Sequence, residues 1–136
     1  MVRFVLHRIL GLGKIPAADR QALEPEGIEV AEEGIWVSIT YKNYRAPGKV
    51  FLNRKRWVVG SLVVTKHRFL AYIFSRRIFN LPLSDANFAK WKVFVEDGQR
   101  LCLSGDASNL GPNHSGNLEF RFTIADAGKL VRLFPL

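Results

Sequence analysis

Three histidines and one cysteine are the first candidates for chemistry, and their spacing assembles no site. His7, His67 and His114 lie far apart and outside any metal-ligating spacing, so each reads as structural or exposed. Cys102 sits in the apolar alternation around Leu101 and Leu103, where a cysteine is more often a small buried filler than a nucleophile. Ser104, Asp106, His114 and Ser115 cluster around one polar stretch, but no strand–turn–helix elbow supports a triad. Gly11-Leu12-Gly13 lacks the remainder of a dinucleotide or phosphate-loop fingerprint. Asn113-His114-Ser115 is formally a glycosylation sequon, which has no meaning without secretion. These residues predict no enzyme activity, no cofactor and no metal.

The cations carry more information. Lys and Arg number 20 against 12 acids, a formal net charge of +8. The excess is confined to residues 41–80, which hold Lys42, Arg45, Lys49, Arg54, Lys55, Arg56, Lys66, Arg68, Arg76 and Arg77 and no acid. Such asymmetry points to an anionic partner: a lipid surface, a nucleic acid or an acidic protein. A solvated basic face that only aids solubility is the plainer alternative. With a single cysteine there is no internal disulfide and no sign of an oxidising compartment. The longest run free of charge and histidine, Trp57 to Thr65, is far short of the ~20 residues a spanning helix needs. A cytoplasmic protein, free or peripheral at a membrane, is the expectation.

Length and composition fit one domain, residues 15–136, preceded by a basic apolar segment, residues 1–14. In that segment Val2, Val5, Leu6 and Ile9 recur at helical spacing, as in a membrane-surface helix or a short element covering the core. Pro16 to Leu23 reads as a short helix, stopped by Pro25 and Gly27. From Ile28 the period becomes two: Ile35, Val37, Ile39 and Tyr41 alternate with Trp36, Ser38, Thr40 and Lys42. Ala46-Pro47-Gly48 turns the chain into a long strand, Val50 to Thr65, with Gly60 as a bulge or bend. Strands over Phe69–Phe74 and Ile78–Leu83 follow, and Pro82 confines the latter to an edge or an end.

Trp91, Val93 and Val95 then alternate on one strand, with Leu101 and Leu103 on the next. A three-residue loop, Glu96-Asp97-Gly98, would pair Val93 with Leu101 and keep both apolar sets on one face. After a polar loop, Leu118 to Phe122 forms a last strand. A short helix capped by Thr123 follows, striped by Ala127, Leu130, Val131 and Phe134. The expected fold is mainly β: about seven antiparallel strands packed as two sheets or a partly open barrel, with a C-terminal helix over one end.

That order, with Gly60-Ser61-Leu62-Val63-Val64-Thr65-Lys66-His67-Arg68-Phe69, resembles the pleckstrin-homology-like superfamily, in particular its GRAM and bacterial branches. Gly60, Thr65 and Arg68 fit a pattern common there of glycine, apolar strand, Thr-x-x-Arg and apolar strand. The resemblance implies a non-catalytic binding module, in which two nearly orthogonal sheets are plugged at one corner by the C-terminal helix. Many such modules bind phosphoinositides and many bind proteins. Lys42 followed by Arg54-Lys55-Arg56-Trp57 also resembles the basic first hairpin of its lipid-binding members. Alternation puts Arg54 and Arg56 on one face, where arginine can hold a phosphate through two bonds. The candidate anion-binding residues are Lys42, Arg54, Arg56, Lys66 and Arg68, with Arg45 and Lys55 at the rim.

Two rival readings stay open. Tyr41, Tyr44, Phe51, Trp57, Phe69, Tyr72, Phe74 and Phe79 interleave with the cations, as in sheets that stack single-stranded nucleic acid. Most of them fall at strand-core positions, and no nucleic-acid-binding signature is present. A protein-interaction or oligomerisation domain using a sheet edge or an apolar patch requires no special residues.

Overall fold

The computed structural model describes residues 13–83 and 89–134. The segment 1–12, which carries His7 and the basic apolar stretch, lies outside the described residues. Helix α1 (Ala17–Leu23) is followed by a single turn of 3₁₀ helix at Glu24–Glu26. Gly27 ends this entry at φ 81°, a conformation that a side chain would disfavour. The strands are β1 (Ile28–Ala46), β2 (Lys49–Thr65), β3 (Arg68–Ile73), β4 (Arg76–Pro82), β5 (Trp91–Glu96), β6 (Arg100–Asp106) and β7 (Ser115–Thr123). Helix α2 (Ala127–Val131) closes the chain.

All seven strands are antiparallel and form one sheet in the order β4-β3-β2-β1-β7-β6-β5. The protein is mainly β, and its two packed layers are halves of this one curled sheet. The curl shows in side chains that meet without being on paired strands. Phe79 of β4 lies edge-on to Trp91 of β5 at 5.0 Å and to Phe120 of β7 at 4.9 Å. Phe69 of β3 meets Phe122 of β7 at 6.3 Å. Such edge-to-face pairs contribute about 0.5–1.5 kcal/mol each beyond their burial.

β1 bends to allow this. Its register slips against β2 between Ile28 and Val30 and again between Glu32 and Ile35. The second slip takes up Glu33 and Gly34, with Gly34 at φ 64°. The bulge expected at Gly60 therefore lies across the pair, in β1. Gly60 has a different duty: a Cβ there would collide with the carbonyl oxygen of Tyr72 on β3.

The concave face holds the main core. Ile35, Val37, Ile39, Leu101, Leu103, Leu130 and Phe134 are buried as the periodicity predicts. Val93 and Val131 are only half-buried, because β5 is a sheet edge and Val131 ends a five-residue helix. α1 covers the convex face of β2 and β3, where Ile15, Leu23, Val63, Leu70 and Tyr72 form a second cluster. The Tyr72 hydroxyl donates to Asp19 at 2.8 Å, and the bulge residue Glu33 accepts from the Ile15 amide at 2.8 Å. Pro82 ends the edge strand β4, as its missing amide requires.

Two expectations are corrected. The β5–β6 loop is Asp97-Gly98-Gln99, with Val93 opposite Leu103 and Trp91 opposite Gly105. Both apolar sets do share a face, but the pairing is two residues further along than the Glu96-Asp97-Gly98 loop would give. That register lays the indole on the one residue without a side chain, since a Cβ at Gly105 would sit 2.8 Å from Trp91 Cε3. The cap of α2 is Asp126, whose carboxylate accepts from the Lys129 amide at 2.9 Å; Thr123 still belongs to β7. The start of α2 is also held by the β5–β6 loop, through Ala127 N–H to the Gly98 carbonyl at 3.2 Å and Ile124 N–H to that of Gln99 at 2.8 Å. Among the described residues no helix is long and apolar enough to cross a membrane.

Candidate functional site

Directly opposed residues of an antiparallel pair share a face. On β1 and β2 the opposed pairs run Val37–Val58, Ile39–Arg56 and Tyr41–Arg54. The concave face therefore changes, within one row of the sheet, from an apolar core to two arginines. Ile73 of β3, partly buried against the core, faces Arg76 of β4 and brings a third cation to that side.

Three chain reversals lie at this end. Pro47-Gly48 joins β1 to β2, Phe74-Ser75 joins β3 to β4, and residues 107–114 join β6 to β7. Between them opens a groove of about 470 Å³, within the ~300–1,000 Å³ of small-ligand sites. Ile39, Tyr41, Ile73, Ile78, Leu118 and Phe120 supply its apolar wall, and Lys49, Arg56 and Arg76 bring charge to it. Among the described residues no acid lines it and no salt bridge engages those three cations. Arg54 stands beside it with its guanidinium 4.6 Å over the Phe51 ring.

The rim is apolar as well as cationic. Val50 and Leu52 of the β1–β2 hairpin are 61% and 66% exposed, and Phe74 and Leu110 are exposed on the other two reversals. Phe74 and Ser75 form a two-residue turn with φ of 50° and 65°. A bulky residue in the left-handed region is uncommon. Below the rim the Tyr44 hydroxyl is 2.7 Å from His114 Nδ1, tying β1 to the β6–β7 loop. Burial, reinforced by the neighbouring Tyr41, holds the Tyr44 hydroxyl above its usual pKa.

The five candidate residues are not brought together. Arg56 lines the groove and Arg54 stands beside it, while Arg45, opposite Val50 near the end of β1, is not among the groove's lining residues. Lys42 is opposite Asn53 and Asn117, and its ammonium is 3.7 Å from Glu119. Lys55, opposite Thr40, lies 4.9 Å over the Trp57 ring. Lys66 and Arg68 flank the β2–β3 turn, nine residues of strand or more beyond Arg56, which is roughly 30 Å along an extended chain. The central block is basic in sequence but divided in space, because β2 is long enough to span the molecule.

Arg68 is also already occupied. Its Nε is 3.0 Å from Glu26 Oε1 and its terminal nitrogen 2.9 Å from Glu26 Oε2. The buried Thr65 hydroxyl completes this unit, donating to Glu26 at 3.1 Å and accepting from the amides of His67 and Arg68 at 3.1 Å each. The Thr-x-x-Arg pattern builds a turn and fastens it to the 3₁₀ turn that follows α1.

Lys49 and Arg76 are the cations that the sequence reading missed as site residues. Their signal is positional: each begins the strand after a tight turn, and only the strand order shows that those turns neighbour one another. The fold and groove define a curled seven-strand half-barrel with a cationic, apolar-rimmed mouth. No protein-family model, curated protein or solved structure matches the chain.

Proposed function

We propose that the protein is a non-catalytic binding module that docks the mouth of its half-barrel onto an anionic membrane surface. The observation that carries this is the gathering of Lys49, Arg54, Arg56 and Arg76 with the exposed Val50, Leu52, Phe74 and Leu110 at one end. Each cation near an anionic leaflet is worth about 1 kcal/mol, so four hold a small domain reversibly. Apolar tips entering the interface supply the second signal that stable peripheral binding needs. The seven-strand order and the C-terminal helix support the pleckstrin-homology-like resemblance, while the binding residues proposed here follow from the geometry of the mouth.

Co-sedimentation with phosphatidylcholine vesicles, with and without 30% phosphatidylglycerol, tests this reading. Binding is expected only with the anionic lipid, to weaken as salt shortens the screening length, and to be lost in Arg54→Glu/Arg56→Glu. Equal binding to neutral vesicles, or none at low salt, overturns it. Tighter binding to single-stranded RNA or DNA replaces it with nucleic-acid recognition.

A further inference from the structure

The groove inside the mouth is deeper in chemistry than a docking surface requires. A flat anionic leaflet needs only the rim: cations and apolar tips pointing outward. Behind the rim Ile39, Ile78, Leu118 and Phe120 continue inward, and the charges at the opening are all positive. An inorganic anion would use the cations and leave the apolar wall against water. A neutral apolar molecule would cover the wall and leave Lys49, Arg56 and Arg76 without a counter-charge.

We infer that the groove binds one single-chain anionic amphiphile, a phosphomonoester headgroup on an alkyl chain, with the headgroup at Arg56 and Arg76 and the chain along Ile39, Ile78, Leu118 and Phe120. This rests on the mouth being the binding end and goes further by naming the ligand class. Charge complementarity is the argument for the head: among the described residues three cations and no acid line the opening, and a phosphate carries close to two negative charges at neutral pH. Two guanidiniums suit it because each offers paired donors to phosphate oxygens. The argument for the chain is the wall: Ile39 and Phe120 lie in the same sheet row as Arg56, and with Leu118 and Ile78 they belong to the apolar core or pack against it. Two copies do not pair mouth to mouth, since both would present the same positive surface.

Titration calorimetry of the full chain with decyl phosphate, butyl phosphate, inorganic phosphate and decanol, all below micelle formation, tests the inference. Anionic vesicles are run in parallel. Decyl phosphate is expected to bind one to one, at least 100-fold more tightly than inorganic phosphate. Each methylene buried is expected to tighten binding by about threefold to fourfold until the groove is full. Arg56→Met and Arg76→Met should each weaken decyl phosphate at least tenfold, with the circular dichroism spectrum unchanged. Ile78→Asn should flatten the dependence on chain length and leave inorganic phosphate unaffected.

An affinity independent of chain length reduces the groove to a headgroup site and overturns the inference. Decanol binding as tightly as decyl phosphate overturns the role of the cations. Anionic vesicles binding while no soluble amphiphile does overturns the inference alone. Failure of both vesicles and amphiphiles overturns the membrane reading with it.

Discussion

Arg68 and Glu26 form a two-point ion pair, at 3.0 and 2.9 Å, that closes the β2–β3 turn onto the 3₁₀ turn following α1. An arginine held this way is a fastener, and its charge is spent within the fold. Arg68→Met is expected to cost about 1–2 kcal/mol in urea unfolding, as for a partly exposed charge-assisted pair, and to leave vesicle binding within twofold. A loss of vesicle binding as large as that of Arg54→Glu/Arg56→Glu would return Arg68 to the binding surface.

Phe74 is the opposite case, a large apolar residue that makes no such fastening contact. It is exposed and sits at φ 50° in a two-residue turn. Glycine relieves a left-handed backbone by about 1 kcal/mol. Phe74→Gly should therefore raise the melting temperature while weakening binding to anionic vesicles. A variant that is less stable and binds equally well would assign Phe74 a packing role.

Much of the fold could be read from residue periods. Ile35, Val37, Ile39 and Tyr41 alternate cleanly because one face of β1 meets the core, and Pro82 marked an edge through its missing amide. What the periods could not supply was distance between strands. Arg56 and Lys66 are ten residues apart in the sequence and look like one basic patch, but β2 runs on from Arg56 to Thr65 and delivers Lys66 to the turn at its far end. Arg56 and Arg76 are twenty residues apart and share one groove, because β3 reverses the chain and the Phe74-Ser75 turn returns it. The Val93 register failed for a related reason. Parity is written in the alternation of Trp91, Val93 and Val95, but the choice between registers of equal parity is made by the indole of Trp91 against Gly105.

The C-terminal cap can be weighed directly. Phe134 is buried against Phe69, with ring centroids 5.5 Å apart and nearly perpendicular planes. Phe134→Ala should cost about 3–5 kcal/mol in urea unfolding, the range for removing a buried aromatic ring. A cost below 1 kcal/mol would show that the ring does not seal the core.

Alkaline stability follows from Cys102. Burial, helped by the nearby Glu96 carboxylate, pushes its thiol up from 9.0 to about 11. An acid whose pKa is raised on folding keeps its proton in the native state after the unfolded chain has lost it. The stability it contributes is therefore complete below pH 9 and lost as pH rises from 9 to about 11. Cys102→Ala should flatten that part of the stability profile measured by urea unfolding. An unchanged slope in the variant would assign the alkaline loss to another group, Tyr72 foremost, since its burial and its bond to Asp19 raise it as well.

Which end of the half-barrel meets the membrane is the question on which the proposed function turns. In a Cys102→Ala background, a solvent-sensitive fluorophore is placed by Leu52→Cys, Phe74→Cys or His67→Cys, and anionic vesicles carrying a lipid-borne quencher are added. The labels at positions 52 and 74 should shift to the blue and be quenched, and the label at position 67, at the β2–β3 turn, should do neither. Quenching at 67 without quenching at 52 and 74 would contradict the account.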